Sequence, residues 1–211
     1  MKRFTTVRVR CHGLFPFTRR LRQRSERGAA LIEAAIVLPV LLLIVFGVFE
    51  FGLAFKNSLT ITSATRSGAR VASALPRTTD FEISTAAAVR GSLLNAFQSG
   101  EVQYLSIYKA DPNTGEPSDG SDFETCTECY RYVWDPTAQG GVGDWAYVTG
   151  SWPPLTQAAC GADSSTDYVG VYVRAKHDFL TAAFGSSKTL TAHTVMRLEP
   201  VPTSGGLTCQ P

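Results

Sequence analysis

Histidine and cysteine are scarce in this sequence, three and five among 211 residues, and the constellations that carry most enzyme and metal chemistry are missing. No G-x-S-x-G poises a serine for His177, Asp178 or His193. In Gly185-Ser186-Ser187-Lys188-Thr189 the two glycine positions of a phosphate loop hold Ser187 and Ala182, so the stretch reads as a turn. The acidic segment from Asp111 to Glu124 lacks the D-x-[DN]-x-[DN]-G spacing of a calcium hand and reads as a solvated loop. Cys126-Thr127-Glu128-Cys129 has neither a second CxxC nor an HxxxH to complete a zinc site. Its flanks are acidic before and strand-like after, without the strand-to-helix start that would depress a thiol pKa for redox work. The sequence therefore predicts no enzyme, no metal site and no cofactor. It also shows no internal repeat.

What is present is a charge asymmetry beside a long apolar run. Residues 1–28 hold nine Lys/Arg against Glu26 alone, a net +8, while the remainder holds eleven basic and seventeen acidic residues, a net −6. Basic arms can bind nucleic acid. This one abuts an apolar span, and the positive-inside rule accounts for it without a nucleic-acid partner. Residues 1–28 read as a cytoplasmic leader with no sustained helical period, excluded from the fold. Residues 29–49 read as a single span: at about 1.5 Å per residue they cover roughly 31 Å, the thickness of a hydrocarbon core. A secretory signal has a shorter apolar region and a prompt small-x-small site; here the nearest, Ala72-Ser73-Ala74, lies far downstream. Pro39 falls inside the run, where spans tolerate it.

Past the span, Phe51, Leu53, Ala54 and Phe55 keep the helix apolar before Lys56-Asn57-Ser58 marks emergence into water. Ala64, Gly68, Ala69 and Ala72 then supply a small-residue face, and Pro76 ends the helix. A second helix is predicted over 79–97: Thr79-Asp80-Phe81-Glu82 fits a capping box, Ala86, Val89, Leu93 and Phe97 recur at helical spacing, and Gly100 closes it. Thereafter the period becomes two. Strand candidates are the segment around Tyr104–Tyr108, Tyr130–Trp134, Trp145–Thr149, Val169–Ala175 and Leu190–Leu198, separated by turn-rich stretches such as Asp111–Pro117 and Gln139–Gly143. Short turns between strands imply an antiparallel sheet. The fold class is α+β: a leader over 1–28, a long helix over 29–75, and an extracytoplasmic domain over 76–211. Setting aside Cys11 in the leader, Cys126, Cys129, Cys160 and Cys209 form an even set on the far side, where disulfides form; three connectivities are open.

Glu33 is the odd residue, a carboxylate five positions into the apolar run, where an unpaired charge is costly. The residues Arg27-Gly28-Ala29-Ala30-Leu31-Ile32-Glu33-Ala34-Ala35-Ile36-Val37-Leu38-Pro39 and Phe46-Gly47-Val48-Phe49-Glu50-Phe51-Gly52 resemble the start of a TadE-like protein. These are minor pilins, or pseudopilins, of bacterial tight-adherence (Flp-type IV) pilus systems. Thr65-Arg66-Ser67-Gly68-Ala69-Arg70-Val71-Ala72 resembles the helix that follows in that family, and the stretch from Phe179 to Pro200 resembles its end. Residues 100–165 carry no signature of it. The resemblance implies a pilin-like fold, cleavage between Gly28 and Ala29 by a membrane prepilin peptidase, and an assembly role for Glu33. It also implies other pilin subunits and pilus assembly platform proteins as partners. Major Flp pilins usually follow that glutamate with tyrosine; Ala34 here points to an accessory subunit. Glu50, at the far end of the span, reads as a plain interfacial residue. Two other readings remain at this point: a membrane-anchored binding or adhesin domain that never polymerises, and an exported redox protein using Cys126 and Cys129.

Overall fold

Helix α1 runs from Arg20 to Ala74, through Pro39. It starts eight residues before Gly28, inside the segment the sequence assigned to a non-helical leader, because 20–27 hold good helix formers and neither glycine nor proline. The computed structural model describes residues 20–94, 97, 101–160, 165–181 and 185–201, with side chains in α1 from Ala29 onward. Cys11, Gly100, Ala182 and Cys209 lie outside these. The chain forms two compact units, Met1–Gly47 and Val48–Pro211. In the first, the apolar side chains from Leu31 to Val45 are exposed along a helix long and apolar enough to cross a membrane.

In the second unit the small-residue face of α1 is buried: Ile61, Ala64, Ala69 and Ala72 are sealed in the core. A Cβ on Gly68 would stand 2.5 Å from Val89 Cγ2 and 3.3 Å from Val171 Cγ1, so only glycine lets α1 approach the next helix and the sheet this closely. The chain turns after Ala74 through Arg77, whose positive φ of 61° is held by its N–H donating to Gln157 Oε1 at 2.7 Å.

Helix α2, Phe81–Leu93, buries Ala86, Val89 and Leu93 as the spacing predicted, and Phe81 besides. The capping box does not form. Asp80 is the N-cap, its side chain makes no capping bond, and Thr79 Oγ1 turns to Asp80 Oδ1 instead. The helix also stops at Leu93, short of Gly100, though Phe97 beyond it is buried.

Five strands follow: β1 Val102–Ala110, β2 Cys129–Asp135, β3 Asp144–Thr149, β4 Tyr168–Asp178 and β5 Ser187–Arg197. They form one antiparallel sheet in the order β3-β2-β1-β4-β5. The stretch 187–189, read from sequence as a turn, is the start of β5; Lys188 pairs with His177 and extends the β4–β5 ladder. Leu105 and Ile107 of β1, Tyr130, Tyr132 and Trp134 of β2, and Val169, Val171 and Val173 of β4 join the helices in one hydrophobic core.

The other face of the sheet is covered as well. Tyr104, Tyr108 and Tyr172 form a second buried cluster with Cys126 and Cys129 under the segment 111–128. Phe123 stacks on Tyr172 with ring centroids 4.6 Å apart, and Tyr108 lies over Gly170, where a Cβ would stand 2.1 Å from the ring. Glu124 receives Arg174 Nη1 at 2.5 and 2.6 Å. The acidic stretch is a loop exposed over much of its length, as expected, and its end also caps this face, because Phe123 and Glu124 find partners on the sheet. Cys126 and Cys129 are bonded to each other, Cα atoms 5.9 Å apart, which closes this cap onto β2. Cys160 is disulfide-bonded as well. Among the described residues no group of three His, Cys, Asp or Glu could hold a metal.

Candidate membrane-proximal assembly site

Gly28, Ala29 and Glu33 all lie in α1 within the first unit and are exposed. Ala29 and Glu33 are one helical turn apart, so the carboxylate and the backbone at Ala29 lie on one side of the helix. In a hydrocarbon environment an exposed carboxylate at such a position wants a partner. Cys126 and Cys129 are far along the chain in the outer cap and fully buried.

Where α1 enters the second unit its two sides differ. On one side Glu50 is only 1% exposed. Its carboxylate accepts the backbone N–H of Leu180 at 3.0 Å and that of Thr181, both just after the end of β4. Two turns on, Asn57 Nδ2 is 3.0 Å from His177 Nδ1 at the end of β4. Two further turns on, Thr65 and Thr194 of β5 share a hydroxyl hydrogen bond of 2.8 Å. Near the helix end, Ser73 O accepts Glu199 N–H at 2.8 Å. Thus α1 is tied to the β4–β5 hairpin by polar contacts on the same face that buries Ile61, Ala64 and Ala72. A buried carboxylate is tolerable only when donors surround it, and charge-assisted bonds to backbone N–H groups are strong. Glu50 is therefore a structural anchor and not a plain interfacial residue. Its signal in the sequence was its helical spacing to Asn57, Ala64 and Gly68, which puts it on the buried face.

The opposite side of α1 is apolar and largely exposed. Phe51, Phe55 and Leu59 recur every four residues at 57%, 71% and 61% exposure. Phe55 and Leu59 border an open groove of about 520 Å³ that Gly52, Lys56 and Ser92 also line. Farther along, Arg66 and Arg70 take over this side. The apolar surface therefore outlasts the predicted span by some ten residues, roughly 15 Å of helix.

In comparison with known proteins, residues 28–70 match the family model described as TadE-like protein. The match begins at Gly28, takes in Glu33, Glu50 and the exposed Phe51–Phe55–Leu59 side, and ends before the sheet. No curated protein and no solved structure matches the chain.

Proposed function

The chain is TadE-like over residues 28–70, and we propose that it is an accessory pilin-type subunit acting in assembly or priming of a tight-adherence pilus. It works by packing of subunits rather than by chemistry. The observation that carries this reading is the make-up of α1: one side is anchored to its own sheet through Glu50, Asn57 and Thr65, and the other is an apolar surface left for neighbours.

In this reading the basic leader stays in the cytoplasm, the span crosses once, and the sheet stands outside the membrane. Cleavage after Gly28 by a prepilin peptidase frees an ammonium on Ala29. When spans assemble side by side at the pilus platform, Glu33 of one subunit meets the Ala29 ammonium of another. In low dielectric an unpaired carboxylate is costly, so this pairing favours one axial stagger; it specifies register more than it adds stability.

The test is the mature N-terminus of the full chain purified from membranes of cells with an active prepilin peptidase. Mass spectrometry is expected to show a chain starting at Ala29, and Glu33→Ala is expected to leave insertion intact while co-purification with pilus subunits falls. A leader that stays intact, or an undiminished co-purification of Glu33→Ala, overturns the reading in favour of an anchored, unpolymerised binding domain.

A further inference from the structure

The two edges of the sheet are unlike. β5 carries Lys188, His193 and Arg197 along its length. Such charges discourage a further strand from adding. β3, Asp-Trp-Ala-Tyr-Val-Thr, has one charge, Asp144, which is turned to Arg90 at 3.3 Å. Its remaining residues are good strand formers, and neither lysine nor proline blunts the edge.

This edge also holds a protrusion and a recess. Tyr147 is 56% exposed, and its hydroxyl donates to Gly150 O at 2.5 Å while its ring meets Tyr132 edge-on at 5.7 Å, so the ring is fixed rather than free. Beside it, between α2 and the helix-facing side of β2 and β3, opens a cleft of about 270 Å³ lined by Ile83, Ala87, Arg90, Tyr132 and Trp145. Its wall includes Trp145, itself edge-on to Trp134 at 4.9 Å. Tyr147 pairs with Tyr132 and Trp145 with Trp134, and both partners belong to the core face, so Tyr147 and Trp145 lie on the helix-facing side of the sheet.

We propose that β3 is a pairing edge for a second copy of this chain, antiparallel across a twofold axis at Ala146. A twofold interface must contain its own complement, because the same patch serves both copies. Here it does. An axis normal to the sheet keeps the helix-facing sides together, so residues that face each other must share a side. With Ala146 opposite Ala146, Trp145 of each copy faces Tyr147 of the other on the helix-facing side of the sheet. Aromatic cross-strand pairs are among the favourable ones. The two Asp144 carboxylates stay apart, each opposite Val148. A register shift in the β2–β3 pairing, between Arg131 and Tyr132, confines regular pairing to the residues around Ala146. The backbone ladder is therefore short, and the two Trp145–Tyr147 pairs carry the contact. Attachment to a membrane raises the effective concentration of such weak lateral contacts. This contact does not depend on cleavage at Gly28 or on Glu33.

The experiment uses the full chain in membranes of cells without prepilin peptidase or other pilus proteins, in a Cys11→Ser background. Under mild oxidant, Ala146→Cys is expected to give a covalent homodimer on non-reducing gels, and Thr191→Cys on β5 is expected to stay monomeric. Tyr147→Ser added to Ala146→Cys is expected to slow cross-linking at least tenfold while the detergent-purified chain still melts cooperatively, within a few degrees of its parent. No dimer from Ala146→Cys, equal dimer from Thr191→Cys, a mixed disulfide with another protein instead, or a rate indifferent to Tyr147→Ser each overturns the proposal.

Discussion

The carboxylate of Glu50 holds the backbone N–H of Leu180, 130 residues away, at 3.0 Å. It fastens the part of α1 that enters the second unit to the hairpin of the last two strands. Replacing it takes the shared acceptor from two backbone donors at once, which is more damaging than losing a surface charge. Glu50→Ala is expected to lower the melting temperature of the detergent-solubilised chain by several degrees. Glu50→Gln, which keeps one acceptor oxygen, is expected to lower it less. The same variants are expected to speed amide exchange at Leu180 and Thr181, read by mass spectrometry.

Two helical glycines separate packing from propensity. Gly68→Ala places a methyl 2.5 Å from Val89 Cγ2. Overpacking of this kind costs about 1–3 kcal/mol, against a gain in helix propensity of about 0.5–1 kcal/mol, for a net loss on the order of 1 kcal/mol. Gly91, in α2, has nothing within 4 Å of the added Cβ. Gly91→Ala is therefore expected to stabilise by about 0.5–1 kcal/mol. Chemical denaturation of the two variants side by side checks the opposite signs.

Asp119 gives the outer cap a pH dependence. Burial alone would raise its pKa, but bonds from the Ser121 hydroxyl and N–H and from the Thr127 N–H and hydroxyl outweigh that and hold it well below the usual carboxylate range. A carboxyl depressed in the folded state contributes stability that is fully present above its unfolded value, about 3.9, and is lost as pH falls through the folded value. Amide exchange in residues 119–127 is expected to be flat between pH 5 and 7, after correction for intrinsic rates, and to lose protection on acidification below about pH 4. Asp119→Asn is expected to remove that step.

The long helix and the antiparallel sheet were legible because their patterns are local: Ala34 to Phe49 is a continuous apolar run, and Val169, Val171 and Val173 alternate cleanly. The capping box was not, because Thr79-x-x-Glu82 is a pattern that competing backbone geometry overrides; Thr78 O takes the Phe81 N–H and Asp80 O takes that of Ser84. The role of Glu50 was hidden for a different reason. Its donors come from Leu180 and Thr181, and no periodicity within α1 reveals a partner so distant in sequence. The acidic segment 111–124 looked solvated by composition, yet the position of Phe123 within it depends on Tyr172 and on the gap left by Gly170. In the family-matched region the exposed side of α1 was readable as apolar, while the split between a side anchored to the sheet and an exposed one needed the sheet.

Strand β1 is hydrogen-bonded on both edges and buried on both faces, by the helices on one side and by the disulfide-closed cap on the other. None of its amides can open without disturbing both neighbouring strands and at least one covering layer. Its protons are thus the last to leave, and the rate at which they leave reports unfolding of the whole sheet. The cap hangs directly from this strand, so the segment with no family signature is carried by the most persistent part of the second unit. That arrangement gives this surface a fixed footing: residues 111–122 are seated from below by Phe123, Glu124 and the Cys126–Cys129 closure, and within the cap by Asp119.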